Sequence, residues 1–276
     1  MSGASLLSDQ LIIAGFHRSG TSLTAQLLHR AGLFLGDDLL DANLSNPYGH
    51  FEDWDVVGLH QNIFADNGLT WIVGEPFLPV IRPSRWERMK QIIESRNSEH
   101  RLWGFKDPRA CLFIMLWKYM LPDSKVLLVY RHFTGPTRSL ASRHSAALFS
   151  NQGNRHVHRR FWEEPDLALR MWLAHNNALL AFARAYPQDT LAVSLDMIRD
   201  GFPIIWAINQ RWDLGLEEVP VGEVFDPVIA TGRSGKQPVS DYGLISRVEE
   251  TWRALEELGA HTESMLMRKE EAVVGE

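Results

Sequence analysis

The chain has 276 residues, of which 45% are hydrophobic and 22% charged, so it is long enough to bury a core without disulfides or a structural metal. Its formal net charge of −6 argues against a broad nucleic-acid-binding surface. Cys111 is the only cysteine, which excludes an internal disulfide framework and favours a reducing compartment.

The sequence does not predict an export signal or a membrane segment. Residues 1–10 lack the basic region and the apolar region of a signal peptide. No run of about 18 apolar residues occurs, so no transmembrane segment is expected. We therefore expect a cytoplasmic protein.

The N-terminal third of the sequence predicts a strand, a glycine-containing turn and a helix. The apolar run 11–14 suits a buried parallel strand. After the turn, apolar residues recur at helical spacing up to Gly32, which is suited to end a helix. A turn-rich segment, 41–52, leads to a second predicted helix near residues 54–64.

The middle of the sequence continues the alternation of strands and helices. Residues 101–105 form a second predicted strand, followed by an apolar helix that ends at Met120. Residues 125–130 are the clearest internal strand, because their apolar residues follow one another without interruption. A helix is predicted over 134–149, and a polar, basic loop over 150–160.

The last third predicts two more helices, a strand and a long loop. A helix is expected over 166–186 and a strand over 190–195. Residues 217–243 contain too many prolines and glycines for a helix and predict a loop, and 247–258 predict a closing helix. Together, residues 1–276 predict a single three-layer α/β domain around a mostly parallel sheet.

The turn after the first strand has the glycine spacing of a P-loop. Gly15 and Gly20 let the backbone wrap an anion, while amide groups and the helix dipole point at it. A nucleotide kinase carries lysine directly after the second glycine, where this chain has Thr21, and its positive charge stands earlier, at Arg18. We therefore predict a P-loop NTPase-like fold whose loop binds a diester-like anion. The alternative is a purely structural glycine turn.

A second candidate anion site follows the strand at 125–130. Arg131 stands at the carboxyl end of this strand, where α/β folds bind ligands. Ser139 follows eight positions later, early in the next predicted helix, and can reach the same anion. A strand-end arginine that only forms a salt bridge is the alternative.

These two motifs together resemble those of PAPS-dependent sulfotransferases, particularly the bacterial, carbohydrate and tyrosylprotein branches. The resemblance implies PAPS (3′-phosphoadenosine 5′-phosphosulfate) as donor and PAP as product. It also implies that the loop holds the 5′-phosphosulfate and that the arginine–serine pair holds the 3′-phosphate. The residues implied in donor binding are Gly15, His17, Arg18, Ser19, Gly20, Thr21, Ser22, Arg131 and Ser139.

The segment 46–52, Asn-Pro-Tyr-Gly-His-Phe-Glu, resembles the Asn-Pro-x-Gly-x-x-Glu segment of many family members. There the glutamate is the proposed base, which implies Glu52 as the general base here. A glutamate that only favours the dipole of the following helix is the alternative. Nearby residues that could take the same role are His50, Asp53, Asp55 and His60.

Lys106-Asp107-Pro108-Arg109 follows the predicted strand at 101–105 and resembles the Lys-Asp-Pro segment of related sulfotransferases. The resemblance implies that Lys106 stabilises the transferring group together with the loop arginine. It also implies that Arg109 contacts the donor or the acceptor. A salt-bridged surface turn is the alternative.

Sulfuryl transfer is an in-line displacement that needs cations around the transferring group and a base for the acceptor proton. The sequence has no His-Glu-x-x-His motif and no cysteine pair, so no metal is expected. We expect transfer from PAPS to a hydroxyl, or an amine, of a small-molecule or glycan acceptor, which His50 and Arg109 would contact. A P-loop kinase that uses ATP and a non-catalytic nucleotide-binding relative are the alternatives.

Overall fold

A four-stranded parallel sheet forms the centre of the computed structural model. Its strands are β1 (Asp9–Ala14), β2 (Leu102–Lys106), β3 (Lys125–Tyr130) and β4 (Thr190–Ser194). They pair in the order β2-β1-β3-β4, and every pair is parallel. The predicted parallel sheet is therefore confirmed. The structure describes residues 8–41, 49–151, 153–224 and 239–274, with side chains as far as residue 264.

The register of the sheet aligns the carboxyl ends of three strands. Ile13 of β1 lies opposite Lys106 of β2, and Ala14 lies opposite Leu128 of β3. Because β1 is in the middle, the loop that follows it emerges between the ends of β2 and β3. The three sequence motifs that follow these strands therefore meet at one edge of the sheet.

Helices flank the sheet and connect its strands. In chain order they are α1 (Thr21–Arg30), α2 (Trp54–Asp66), α3 (Pro83–Glu99), α4 (Ala110–Met120), α5 (Thr134–Phe149), α6 (Arg155–Glu163), α7 (Leu167–Ala185), α8 (Leu195–Arg199), α9 (Ile204–Trp212) and α10 (Tyr242–Val274). Within the described ranges, none of these helices combines the length and the apolar character needed to cross a bilayer.

Alternate residues of the strands bury two separate hydrophobic clusters. Ile12 and Leu128 belong to a cluster that includes side chains of α2, α4, α7 and α10. Ile13 and Leu127 face the other way, into a cluster with side chains of α1 and α9. This alternation is the period of two expected for a strand that is covered on both faces. The three-layer α/β architecture is therefore confirmed.

Two predicted boundaries in the second half of the chain are wrong. The predicted loop at 150–160 becomes α6 from Arg155 onwards, because the Asn154 side chain accepts hydrogen bonds from the amides of His156 and Val157. The closing helix begins at Tyr242 rather than at residue 247. Residues 225–238 of the predicted long loop lie outside the described residues.

Helices α3, α8 and α9 were not predicted from the sequence. Helix α3 is strongly polar, but its buried residues Met89, Ile92, Ile93 and Arg96 have the spacing of one helical face. Its first residue is Pro83, a favoured helix start. These signals were sufficient to predict α3, whereas α8 has only five residues and gives no periodic pattern.

We expect Gly104→Ala to destabilise the fold and Gly58→Ala to stabilise it slightly. A Cβ at Gly104 would overlap the backbone carbonyl of Leu11 in the neighbouring strand, which should lower the free energy of unfolding by about 3 kcal/mol. A Cβ at Gly58, inside α2, meets nothing within 4 Å, so alanine should add about 0.5–1 kcal/mol. Urea unfolding of both variants measures the difference, and equal midpoints would contradict the close strand packing.

Candidate active site

The loop between β1 and α1 owes its two glycines to packing. A Cβ at Gly15 would overlap the carbonyl oxygen of Val129 in β3. Gly20 has a φ of 96°, and a Cβ there would lie 2.6 Å from a methyl group of Leu195. Both glycines therefore have a structural reason that is independent of any ligand. Arg18 adopts a positive φ of 65°, which is uncommon for a residue other than glycine.

The start of α1 suits an anion. Gly20 is the N-cap and has no side chain that could bond the first amides of the helix, which begins with Thr21 and Ser22. The first turn carries no acidic residue. The Ser19 hydroxyl is buried and has no hydrogen-bond partner among the described residues. Amide donors, the positive helix end and an unsatisfied hydroxyl together favour a negatively charged ligand.

The two predicted anion motifs meet in the structure, although they are 121 residues apart. Arg18 donates from Nε to the hydroxyl of Ser139 at 3.0 Å. Arg131 donates from Nη1 to the backbone carbonyl of Arg18 at 3.3 Å. Trp172 of α7 donates its indole N–H to the Arg131 carbonyl at 3.3 Å, which fixes the end of β3. Loop, strand end and helix α5 therefore form one cationic surface.

Arg143 is a further residue of this surface that the sequence analysis missed. Burial lowers the pKa of the Arg18 guanidinium, and the positive charges of Arg143 and Arg131 lower it further. Burial also lowers the pKa of Arg143, while the nearby Glu52 carboxylate opposes that shift. Arg143 therefore lies within electrostatic reach of both Arg18 and Glu52. Its position four residues after Ser139, on the same face of α5, could have indicated it.

Glu52 lies between two buried cations. Lys106 donates from Nζ to Oε1 at 2.8 Å, and Arg109 donates from Nη2 to Oε2 at 2.9 Å. The imidazole Nδ1 of His50 is 3.9 Å from Oε1. Glu52, Lys106 and Arg109 are 7%, 1% and 7% exposed. Ser22 of α1 donates to the carbonyl of His50 at 3.3 Å, which joins this cluster to the glycine loop.

A buried chain of hydrogen bonds supports Arg109. The backbone amide and Nε of Arg109 donate to Oδ1 of Asp107 at 2.9 and 2.6 Å. His60 bonds Oδ2 of Asp107 at 2.7 Å through Nδ1, and its Nε2 accepts the indole N–H of Trp117 at 2.8 Å. Because Nε2 accepts, Nδ1 carries the proton and the ring is neutral. Burial alone would raise the pKa of Asp107, but Arg109 and His60 outweigh it and lower that pKa.

The nearby alternatives for the base are engaged elsewhere. Asp53 accepts from the amide of Asp55 as the N-cap of α2 and from Arg96 at 2.6 Å. The Asp55 side chain is 48% exposed at the surface. His60 is fully buried and uses both ring nitrogens. Of the predicted candidates, Glu52 and His50 are the two that lie beside Lys106.

His17 and Arg109, which were predicted to bind the donor or the acceptor, contact groups inside the protein. The ring of His17 packs edge-on against Trp71 at 5.0 Å and lies 6.0 Å from the ring of His175, so it belongs to an aromatic cluster under the loop. Both hydrogen bonds that Arg109 makes through its guanidinium go to Asp107 and Glu52, inside the protein. Residues 46–48 of the motif before Glu52 lie outside the described residues.

Within the part of the chain that the structure describes, no group of three or more histidine, cysteine, aspartate or glutamate side chains could hold a metal ion.

Comparisons with known proteins give likenesses to solved structures but no family model and no curated relative. Twenty-two chains of solved structures match. One of them is the sulfotransferase domain of the olefin synthase from Synechococcus PCC 7002, which is 17% identical with a TM-score of 0.47. That match covers 88% of this chain and 94% of the domain. At this distance the likeness assigns no function.

We expect His175 to make the fold sensitive to acid. Burial lowers its pKa from 6.5 to about 4, so between these values the unfolded chain binds a proton that the folded chain does not. Stability from this group is complete above pH 6.5 and falls by about 3 kcal/mol as the pH drops to 4. His175→Asn should flatten the dependence of the unfolding free energy on pH, measured by urea unfolding. If the unfolding free energy of the variant depended on pH as strongly as that of the wild type, the acid sensitivity would not come from His175.

Proposed function

We propose that the chain is a PAPS-dependent sulfotransferase that transfers a sulfuryl group to a hydroxyl, or an amine, of a small-molecule or glycan acceptor. One observation carries the proposal. Arg18 bonds Ser139 and accepts a bond from Arg131 through its backbone carbonyl, in the loop that leads into α1. Arg143 lies within electrostatic reach of Arg18 and of Glu52, which Lys106 bonds. The chain is, on this proposal, one cytoplasmic domain that acts without a metal.

The cationic surface fits a donor with phosphate groups at two positions of one nucleoside. The amides at the start of α1, the Ser19 hydroxyl and Arg18 would hold the 5′-phosphosulfate. Arg131 and Ser139 would hold the 3′-phosphate. Arg143 lowers the pKa of Arg18 by repulsion, and a ligand with several negative charges would remove that repulsion.

Cationic groups and a carboxylate in this site have the roles that sulfuryl transfer requires. When bound, PAPS supplies the sulfuryl group and a phosphate leaving group. Glu52 would take the proton of the acceptor as the acceptor oxygen bonds to sulfur and the bond from sulfur to the phosphate oxygen breaks. Lys106 and Arg18 would stabilise the negative charge that develops around the transferring group and on the leaving phosphate.

We expect calorimetric titration to show tight binding of PAP that does not need magnesium. Arg131→Ala should weaken PAP binding by roughly tenfold or more, because it removes a charged contact to a phosphate. Arg143→Ala should also weaken it, because it removes a positive charge near Arg18. Arg155→Ala is the matched control: Arg155 is an exposed arginine of α6 that bonds Asn151 and does not contact the site, so PAP affinity should not change.

The same titration separates the proposal from its alternatives. Binding of ATP with magnesium, and none of PAP, would overturn the sulfotransferase proposal in favour of a kinase. PAP binding that is equal in the wild type and in Arg143→Ala would remove Arg143 from the donor site. Transfer of a labelled sulfuryl group from PAPS into a panel of hydroxyl and amine acceptors distinguishes an enzyme from a non-catalytic nucleotide-binding protein.

A further inference from the structure

Lys106 and Glu52 bond each other in the structure, rather than the groups proposed for them in the reaction. Each oxygen of the Glu52 carboxylate already accepts a hydrogen bond from a cation, Oε1 from Lys106 and Oε2 from Arg109. A carboxylate oxygen can accept more than one hydrogen bond, but in this arrangement the Lys106 ammonium lies against Oε1, the oxygen that would otherwise face the acceptor proton. The ammonium group of Lys106, in turn, points at Glu52 rather than at the donor loop.

The two cations that hold Glu52 are not equally fixed. Arg109 donates to Asp107 from both its side chain and its backbone, and Asp107 is itself held by His60. These groups are buried and form a rigid chain. Lys106 is an ammonium group on a flexible stem with three N–H donors, and within the described residues it uses one of them, to Glu52.

Lys106 is also the cation placed beside the donor loop. It is the last residue of β2, opposite Ile13 in the register, and Gly15 opens the loop two residues after Ile13. Burial lowers the pKa of His17 in that loop, and the positive charge of Lys106 contributes to the shift, so the ammonium is within electrostatic reach of the loop. A rotation about the bonds of the Lys106 side chain would therefore move it from Glu52 towards an anion there.

We propose that donor binding uncovers the base: the donor draws Lys106 away from Oε1 of Glu52, while Arg109 keeps Oε2 in place. This rests on the proposed function and extends it to the order of events. The carboxylate becomes able to take a proton only when the sulfuryl group is already present, so the donor binds before the acceptor is activated. Arg109, Asp107 and His60 are then positioning residues.

Titration with PAPS in the absence of acceptor tests this competition for Lys106 by a binding readout. Glu52→Gln removes the charged partner of Lys106, and we expect it to tighten PAPS binding by roughly tenfold. Loss of a negative charge near an anion site could tighten binding through space as well. A double-mutant cycle, in which Glu52→Gln is also made in the Lys106→Met background, separates the two causes. Competition requires Lys106, whereas through-space repulsion does not.

The expected result is a gain from Glu52→Gln in the wild-type background and none in the Lys106→Met background. Glu52→Asp serves as a second variant, because it keeps the charge but withdraws the carboxylate from Lys106, and it should also tighten binding. Near-ultraviolet circular dichroism confirms that each variant is folded.

The outcomes distinguish this inference from the function on which it rests. Equal gains in both backgrounds, or no gain from either Glu52 variant, would overturn the uncovering of the base while the binding of PAPS by the wild type stands. A wild-type protein that binds neither PAPS nor PAP would overturn the proposed function, and the inference with it.

Discussion

Parallel pairing of β1 with both of its neighbours is the constraint on which the rest of the site depends. The backbones approach so closely that neither Gly15 nor Gly104 has room for a Cβ, since each would overlap a carbonyl oxygen of the adjacent strand. This pairing brings the glycine loop out between Lys106 and Arg131. The residues that follow these three strands are therefore brought to one edge of the sheet.

Charge is distributed unevenly between the two sides of the glycine loop. On the β2 side, Lys106 and Arg109 are balanced by Glu52 and Asp107 in buried ion pairs. On the β3 side, cations lie near one another and lower the pKa of Arg18. Buried ion pairs cost desolvation and are retained when geometry is good, whereas clustered like charges oppose folding. The β3 side is therefore the part of the site that a polyanionic ligand would stabilise most.

The sequence was sufficient to predict the four strands, and insufficient to predict contacts between distant residues. Buried parallel strands are continuous apolar runs, so β3 was predicted with its exact ends, while the polar helix α3 was missed. Glycine spacing and a strand-end arginine pointed to Arg18, Arg131 and Ser139, which the structure brings together. The pairing of Glu52 with Lys106 joins residues 54 positions apart, which no local pattern encodes. Arg143 was missed because its spacing of four residues from Ser139 becomes informative only once both are placed on one face of α5.

The geometry of helix α5 sets the distance between Ser139 and Arg143. Ser139, which bonds Arg18, and Arg143, which lies within electrostatic reach of Glu52, are separated by four residues, or about one helical turn of 5.4 Å. The spacing between the residue that bonds Arg18 and the residue that lies near Glu52 is therefore set by the pitch of one helix rather than by the length of a loop. Inserting a single residue between them would turn Arg143 by about 100° away from the site, so this stretch of α5 can vary in composition but not in length.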